Sequence, residues 1–250
     1  MVKISAVVIT YNEEANVGRC LDSLRPVADE LVVVDSGSTD NTKAICLQKG
    51  ARFWEHPFAG HIEQKNYALA QATHDHVLCL DADEALSPAL VQSILAVKAN
   101  WRHDGYSMNR LSSYCGHWIR HCGWYPDRKL RLWNRTRGRW GGQNPHDKVV
   151  MEAGATQSHL RGDLLHYTYH TISQHLQQVD FFTGIMAREA VARGQRASLF
   201  KVLGSPVFKF FRSYVIQLGV LDGYYGLVVS AISAHASFIK YVKMRELQKK

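Results

Sequence analysis

The chain has 250 residues, of which 46% are hydrophobic and 21% charged, with a formal net charge of +8 at pH 7. This is ordinary globular composition, and the absence of repeats, heptads and low-complexity linkers excludes fibrous and coiled-coil classes. Five cysteines form no regular framework, and the first predicted strand begins almost at Met1. We therefore expect reduced thiols, no signal peptide and a cytosolic setting.

Predicted strands and helices alternate through the first hundred residues. Short β-branched apolar runs predict strands, and apolar residues recurring at helical spacing predict helices. The predicted order is a strand at 3–10, a helix from 17, a strand at 31–34, a helix ending near 50, a strand at 51–55, a helix at 62–72, a strand ending at 81 and a helix at 87–99. This alternation predicts an α/β fold with a mainly parallel sheet, in which ligands collect beyond the carboxyl ends of the strands.

Three acidic residues stand at the end of the fourth predicted strand. Asp81, Asp83 and Glu84 follow an apolar run, and two acids at i and i+2 can share a divalent cation there. Mg²⁺ and Mn²⁺ prefer oxygen ligands and keep positions open for substrate phosphates. For an Asp-x-Asp alone, a solvated turn is the alternative. Tyr11 and Asp35 also follow predicted strands, so we expect all of these residues to line one crevice.

Three motifs in this order resemble the nucleotide-sugar half of family 2 glycosyltransferases, which have the GT-A fold. They are Val-Val-Ile-Thr-Tyr-Asn-Glu-Glu at 7–14, Val-Val-Asp-Ser-Gly-Ser-Thr-Asp-Asn-Thr at 33–42 and Leu-Asp-Ala-Asp-Glu at 80–84. Later segments, at 124–135, 145–148 and 165–170, resemble the branch that includes the lipopolysaccharide inner-core β-1,4-glucosyltransferases.

The resemblance implies a UDP-sugar donor and a divalent metal, Mg²⁺ or Mn²⁺. Asp83 is implied to be the principal metal ligand, Asp35 to accept a hydrogen bond from the uracil imide, and Asp81 to contact the ribose or a metal-bound water. The other residues implied to surround the donor are Thr10, Tyr11, Glu13, Gln64, Lys65 and Ala82. For the pair at 64–65 the alternative is an exposed first turn of a helix.

Late histidines and basic residues supply further candidates. His166, with His170 in the same segment, is implied to complete the metal shell, and the alternative is a histidine hydrogen-bonded within a polar wall.

The basic stretch Arg128, Lys129, Arg131 and Arg135 is a candidate for contact with the diphosphate or a phosphorylated acceptor. A solvated face or an edge strand protected by charge is the alternative.

Inversion at the anomeric carbon, which the family implies, needs a general base on the acceptor hydroxyl. Asp147 is the preferred candidate because it follows His146 where relatives carry a similar acidic pair. Asp127 is the second candidate, and for it the alternative is a structural acid paired with arginine.

The carboxyl-terminal segment is strongly basic. Residues 191–250 contain ten Lys or Arg against two acids, so this segment carries the whole net charge of +8. Residues 199–212 mix aromatics with cations, as a helix at a membrane surface does. Residues 213–239 lack Lys and Arg, but polar residues and glycines favour helices packed on the domain or lying on the membrane over a spanning helix. A cap that mediates oligomerisation is the alternative, and no nucleic-acid-binding motif accompanies the charge.

These patterns predict a GT-A glycosyltransferase domain at 1–172, with a nucleotide-sugar half at 1–100 and an acceptor half at 101–172. A helical, basic, membrane-associating region follows at 173–250. The predicted function is metal-dependent, inverting transfer of a hexose, glucose from UDP-glucose, to a heptose of the lipopolysaccharide inner core. We expect the enzyme to be peripheral at the cytoplasmic face of the inner membrane, where its acceptor is a lipid-linked saccharide.

Other functions remain as alternatives. Another nucleotide sugar and a different envelope glycan fit the same motifs, and a non-catalytic, membrane-associated nucleotide-binding adaptor would explain the basic tail. A nicotinamide-dependent oxidoreductase is disfavoured because Thr-Tyr-Asn-Glu-Glu stands where Gly-x-Gly-x-x-Gly is needed. A dehalogenase-type phosphatase is disfavoured because its Asp-x-Asp normally follows the first strand and not the fourth.

Overall fold

The computed structural model describes residues 1–143 and 146–249. Backbone contacts group the chain into two compact units. The first unit comprises residues 1–110 and 127–166, and the second comprises residues 111–126 and 167–250. The predicted division at residue 172 concerns function and stays a prediction.

The first unit contains most of the strands, and the carboxyl-terminal part of the chain is helical. In chain order they are β1 (Ile4–Thr10), α1 (Val17–Leu24), β2 (Glu30–Asp35), α2 (Thr42–Gln48), β3 (Arg52–Glu55), α3 (His61–Ala70), β4 (His76–Asp81), β5 (Glu84–Leu86), α4 (Pro88–Ala99), β6 (Gly105–Tyr114), β7 (His117–Trp118), β8 (Asp127–Asn134), β9 (Gly138–Gln143), β10 (His146–Met151), β11 (Gln157–Tyr169), α5 (Ile172–Ala192), α6 (Leu199–Phe211) and α7 (Gly223–Leu247). A π-helical turn at Arg212–Ile216 and a 3₁₀ turn at Gly219–Asp222 join α6 to α7.

The main sheet of the first unit has the strand order β3-β2-β1-β4-β8-β6-β11-β5. Strands β1 to β4 are parallel to one another. Strand β8 pairs antiparallel with both β4 and β6, and β5 pairs antiparallel with β11. Strands β9 and β10 form a separate antiparallel hairpin. The predicted order of the first strands and helices is confirmed, but the antiparallel half of the sheet was not predicted.

Strands β1, β2 and β4 are largely buried because helices cover both of their faces. Ile4 and Val8 of β1 and Leu78 of β4 are fully buried, and they share a core with Leu21 of α1 and Ile94 of α4. Helix α1 presents Val17, Leu21 and Leu24 to this core, as the helical spacing predicts. Ser87 caps the amino end of α4 by accepting from the Leu90 N–H, and Pro88 occupies its first turn. This packing fixes the strand ends that carry the site.

The second unit is largely helical. Helix α5 begins with a capping box formed by Thr171 and Gln174, and both α5 and α6 pack on α7. Strand β7 pairs with the last residues of β6. Tyr114 is fully buried in this unit, and its hydroxyl lies 3.1 Å from Nδ1 of His175. Burial lowers the pKa of His175 to about 4, so this histidine is neutral near pH 7.

In the part of the chain that the structure describes, no helix by itself has the length and apolar character to cross a membrane. The segments Leu199–Ile216 and Gly219–Leu247 reach that level only when taken together, and they are bent by 71° at the break between them.

One carboxylate links the amino ends of the parallel strands in the main sheet. Glu30 of β2 accepts hydrogen bonds from the Ser5 hydroxyl at 2.5 Å and from the Thr73 N–H and hydroxyl at 2.9 and 2.5 Å. It also forms an ion pair with Arg52 of β3. Burial alone would raise the pKa of Glu30, but these hydrogen bonds lower it from 4.5 to about 2. A single side chain therefore ties β1, β2, β3 and the turn before β4.

We expect Glu30→Gln to lower the free energy of unfolding by about 2 kcal/mol at pH 7. Because the folded-state pKa is depressed, this stabilisation is present above pH 4.5 and is lost as the pH falls towards about 2. Urea unfolding of both proteins across that pH range measures the difference. Glu55→Gln, which breaks an exposed pair with Lys43, is the control and should change stability little at any pH. A wild-type advantage that stays constant as the pH falls would contradict the assignment.

Candidate functional site

The candidate site lies at the carboxyl ends of β1, β2 and β4. Thr10 is in register with Asp35, and Ile9 is in register with Asp81, so the three strands end side by side. The structure thus brings together residues from the three motifs, because parallel strands present their carboxyl ends at one edge.

Asp35 organises the loop that follows β2. One carboxylate oxygen accepts from the Thr10 and Ser38 hydroxyls at 2.8 and 2.5 Å, and the other accepts from the Gly37 and Ser38 N–H groups at 2.8 and 2.7 Å. Asp35 and Thr10 are both buried. These four bonds use the acceptor capacity of a carboxylate. A uracil imide would have to replace one of them, and the predicted contact with the base stays a prediction.

The loops after β1 and β2 are fastened to each other. The Asn12 N–H donates to the Ser38 hydroxyl at 2.7 Å, and the Thr39 N–H donates to the Asn12 side chain at 2.9 Å. Glu14 accepts from the backbone and side chain of Asn41 at 3.0 and 2.9 Å. Tyr11 stands at the start of this pair of loops with 61% of its surface exposed, so its ring can pack against a planar ligand.

Glu13 shares the acidic edge of the sheet. Burial raises the pKa of Glu13, a hydrogen bond from Asn16 at 2.9 Å lowers it, and the negative charges of Asp83, Asp40 and Asp81 raise it again. The net shift is upward. Burial and these neighbouring carboxylates together disfavour the charged form of Glu13.

Asp81 lies between two cations. Its oxygens are 2.8 Å from Lys65 Nζ and 2.7 Å from an Arg131 guanidinium nitrogen, and that same nitrogen is 2.8 Å from Glu84. Burial alone would raise the pKa of Asp81, but Lys65 and Arg131 hold it well below its usual range. The pKa of Arg131 is raised in turn, because Glu84 and Asp81 outweigh its burial. Asp81 is therefore ionised and neutralised by protein groups.

Lys65 also contacts the predicted base. Its ammonium group lies 2.8 Å from Asp147 of β10 and 4.5 Å from the centre of the Trp140 ring of β9. Burial alone would lower the pKa of Lys65, but the charges of Asp81 and Asp147 raise it. One lysine therefore joins the fourth strand to the β9–β10 hairpin.

The other predicted residues on α3 are structural in this geometry. Gln64 is fully buried, bonds to the His56 ring and carbonyl at 2.8 and 3.1 Å, and donates to the Ser36 hydroxyl at 3.1 Å. The alternative of an exposed first turn is wrong for both Gln64 and Lys65, which is 7% exposed. Both residues turn inward because the β9–β10 hairpin and the residues after β3 cover this end of α3.

Asp83 and His166 form the most suitable pair for a cation. Asp83 Oδ2 lies 3.1 Å from His166 Nε2, and β11 brings His166 opposite Glu84 of β5. Within residues 1–143 and 146–249, no Lys or Arg pairs with Asp83. Ala82, between the two aspartates, is buried in the core. A carboxylate that has no lysine or arginine partner among the described residues, and that lies beside an imidazole, suits a divalent cation. Such a cation takes further oxygen ligands from a substrate.

A larger ligand set is not preformed. Over the described ranges, no group of three or more His, Cys, Asp or Glu side chains is arranged to hold a metal ion. His170 belongs to the second unit, where its N–H donates to the Gln174 side chain at 2.9 Å. A cation at Asp83 and His166 would therefore depend on oxygens from a bound diphosphate or from water.

Asp127 is paired with basic residues. Its carboxylate lies 2.7 Å from Arg110 and 3.0 Å from Lys129, which matches the alternative of a structural acid. Its assignment as a second candidate base stays a prediction.

Asp147, the preferred candidate base, is half-buried. Of the predicted segment 145–148, Pro145 lies outside the described residues.

The basic stretch does not act as one surface. Arg131 is 4% exposed and bound to the acids of the cluster, whereas Arg128 is exposed to solvent. Arg135 contacts Asp75 at the amino end of β4, at the opposite edge of the sheet. The predicted diphosphate contact is therefore wrong for Arg135.

We expect Lys65→Met to lower the free energy of unfolding by about 3–5 kcal/mol, because it leaves the carboxylates of Asp81 and Asp147 without their shared cation. Lys65→Arg keeps the charge and should recover most of this loss. The control is Lys43→Met, which removes an exposed pair with Glu55 and should cost less than about 1 kcal/mol. Equal losses for the two methionine variants in urea unfolding at pH 7 would show that the cluster is not a structural unit.

Comparison with known proteins agrees with this geometry. The family model described as glycosyl transferase family 2 matches residues 5–161. An uncharacterised glycosyltransferase of Rickettsia typhi is 31% identical and covers 100% of this chain and 89% of the relative. A protein of Rhizobium meliloti named lipopolysaccharide core biosynthesis glycosyltransferase LpsC is 32% identical over 84% of this chain and 80% of the relative.

One solved structure has a partial likeness. It is glucosyl-3-phosphoglycerate synthase from Mycobacterium tuberculosis in complex with Mn²⁺, UDP and glucosyl-3-phosphoglycerate, at 28% identity, 45% of this chain, 44% of that chain and a TM-score of 0.38. At that TM-score the likeness carries no conclusion about this chain. The family match and the two relatives decide the matter, and the chain belongs to glycosyl transferase family 2, with its GT-A fold and its glycosyltransferase activity.

Proposed function

We propose that the chain transfers a hexose from a UDP-sugar to a saccharide acceptor, with inversion and with the help of a divalent cation. The observation that carries the proposal is that the three acids after β4 have different ionic partners. Asp81 and Glu84 are neutralised by Lys65 and Arg131, whereas the ion pair that Asp83 makes among the described residues is with His166. The alternative of a non-catalytic adaptor is not supported, because the family is one of transferases.

Asp83 and His166 are the residues that would hold Mg²⁺ or Mn²⁺ together with the diphosphate of the donor. When bound, the cation supplies positive charge where negative charge grows on the leaving diphosphate. The protein's part is to leave the Asp83 carboxylate without a lysine or arginine partner among the described residues. Lys65 and Arg131 are bound instead to Asp81, two residues away.

The proposed general base is Asp147. Its ion pair with Lys65 holds the carboxylate near the end of β4, where the donor's reacting carbon is expected. Asp127 forms ion pairs with two basic residues, Arg110 and Lys129. Among residues 1–143 and 146–249, Asp147 pairs with one basic residue, Lys65, which it shares with Asp81, so it is the better candidate to accept the proton of an acceptor hydroxyl.

The donor we propose is UDP-glucose, and the acceptor is a heptose of the lipopolysaccharide inner core. The relative named for lipopolysaccharide core biosynthesis supports an acceptor of this class. An acceptor attached to lipid would place the enzyme at the cytoplasmic face of the inner membrane. Transfer of another sugar to a different envelope glycan is the second candidate within the same class.

We expect UDP with Mn²⁺ to raise the melting temperature of the wild-type protein by about 5–10 °C at saturating concentrations. Asp83→Asn and His166→Ala should lose the metal-dependent part of this shift, because they remove the proposed ligands. Asp127→Asn is the matched control and should keep it. If Asp83→Asn is stabilised by UDP and Mn²⁺ as strongly as the wild type, the metal assignment fails.

Asp147→Asn should bind UDP-glucose and Mn²⁺ normally in the same thermal assay but lose turnover by a factor of about 10²–10⁴, the usual contribution of a general base. Transfer of radiolabelled glucose to heptose-terminated core oligosaccharide measures the rate. Asp127→Asn should retain most of the rate. The reverse pattern, a slow Asp127→Asn and an active Asp147→Asn, would exchange the two roles.

A further inference from the structure

Helix α6, in the second unit, exposes an unusually apolar face. Phe200 is 89% exposed, Leu203 67%, Val207 71%, Phe208 61% and Phe211 53%. Exposed apolar residues are normal when scattered, but a contiguous patch of large side chains marks an interaction surface. Phe200, Leu203, Val207 and Phe211 follow one another at spacings of three and four, with Phe208 beside them, so they form one stripe along the helix. With Leu199 and Gly204 they border a single shallow concavity.

The opposite side of α6 is accounted for. Val202 is buried, and the helix packs on α7. Packing within the unit therefore does not explain the exposed stripe, which we call the α6 face and define as Phe200, Leu203, Val207, Phe208 and Phe211. The apolar surface continues beyond the helix, where Val215, Ile216, Leu218, Val220, Leu221 and Tyr224 are all exposed.

Cations border the α6 face. Lys201 and Arg212 are exposed and eleven residues apart, close to three helical turns, so they lie on the same side of the helix. Lys209 lies one residue after Phe208. Residues 190–221 contain no Asp or Glu. The surface therefore combines large apolar side chains with uncompensated positive charge, which is the pattern of a helix that lies in a lipid interface.

We infer that the α6 face binds the surface of an anionic lipid bilayer, with α6 parallel to the membrane plane. Its apolar side chains enter the boundary between headgroups and acyl chains, and Lys201, Lys209 and Arg212 contact lipid phosphates. Each such cation near an anionic membrane contributes about a fivefold gain in partition. The inference goes beyond the proposed reaction and concerns a surface outside the candidate site.

A second copy of the chain is a poorer occupant of this face. A two-fold interface uses the same patch on both copies, so it would bring the three cations of one α6 close to those of the other. Like charges brought together in an apolar contact are unfavourable. An anionic lipid surface supplies the opposite charge for all three.

The charges of this segment disfavour a position across the bilayer. With the π-helical turn that follows it, α6 forms the segment Leu199–Ile216, which contains Lys201, Lys209 and Arg212. Each of these cations is costly at the centre of a bilayer. The segment is bent by 71° relative to Gly219–Leu247, so the two do not form a straight span, and a position on the membrane surface fits the cations better.

Flotation of the full chain with vesicles tests the inference. We expect binding to vesicles of phosphatidylcholine mixed with phosphatidylglycerol, and much weaker binding to phosphatidylcholine alone. Phe200→Ser with Phe211→Ser should reduce partition at least about tenfold, because each removes buried apolar area. Neutralising Lys201, Lys209 and Arg212 with glutamine should reduce it by about fivefold for each charge.

Matched controls separate this face from general hydrophobicity and charge. Phe181→Ser removes a phenylalanine of α5 that is 64% exposed, and glutamine at Lys3, Arg25 and Arg161 removes three exposed cations of the first unit. Both controls should bind as the wild type does. Circular dichroism, and glucose transfer to a water-soluble core oligosaccharide, should be unchanged in all of these variants, so failure of the membrane inference is distinguishable from failure of the proposed reaction.

Three results would overturn the inference. The first is no binding of the wild type to either kind of vesicle. The second is equal binding to both kinds with no loss in the glutamine variant, which would mean that anionic lipid is not recognised. The third is a wild-type dimer in light scattering that the Phe200 and Phe211 substitutions dissociate without any vesicle binding, which would assign the face to a second copy.

Discussion

The site depends on the position of one carboxylate between two buried cations. Asp81 at the end of β4 is held by Lys65 from α3 and Arg131 from β8, and Arg131 also binds Glu84. Without these cations, four acids would face one another at the edge of the sheet, since Glu13 already responds to the charges of Asp83 and Asp81. The positive charges of Lys65 and Arg131 offset the repulsion between these carboxylates in the folded protein.

The same cluster divides the acids into two kinds. Asp81 and Glu84 are bound to the buried cations Lys65 and Arg131, whereas Asp83 lies beside the imidazole of His166. Adjacent residues of similar chemistry thereby acquire different roles, one set maintaining the strand ends and the other available to a ligand. Asp147 joins this arrangement through Lys65, although 82 residues separate the two in sequence.

The parallel half of the fold and the three motifs were predictable, because strand β1, helix α1 and the acids after β4 carry their signals in short local patterns. The antiparallel half was not, because the pairing of β8 with β4 depends on register. One residue of slip would turn Arg131 to the other face of the sheet. Burial of Gln64 and Lys65 was missed for a related reason, since the β9–β10 hairpin that covers them is distant in the chain.

The fastening of the loops after β1 and β2 has a consequence for ligand affinity. Asn12, Ser38 and Thr39, together with Glu14 and Asn41, hold both loops through mutual hydrogen bonds without any ligand. The conformational entropy of these segments is therefore lost when the chain folds and not when a nucleotide arrives. Because these two loops are already ordered, the free energy of new contacts with a ligand is reduced little by the entropy of ordering them, and it contributes almost in full to the binding affinity.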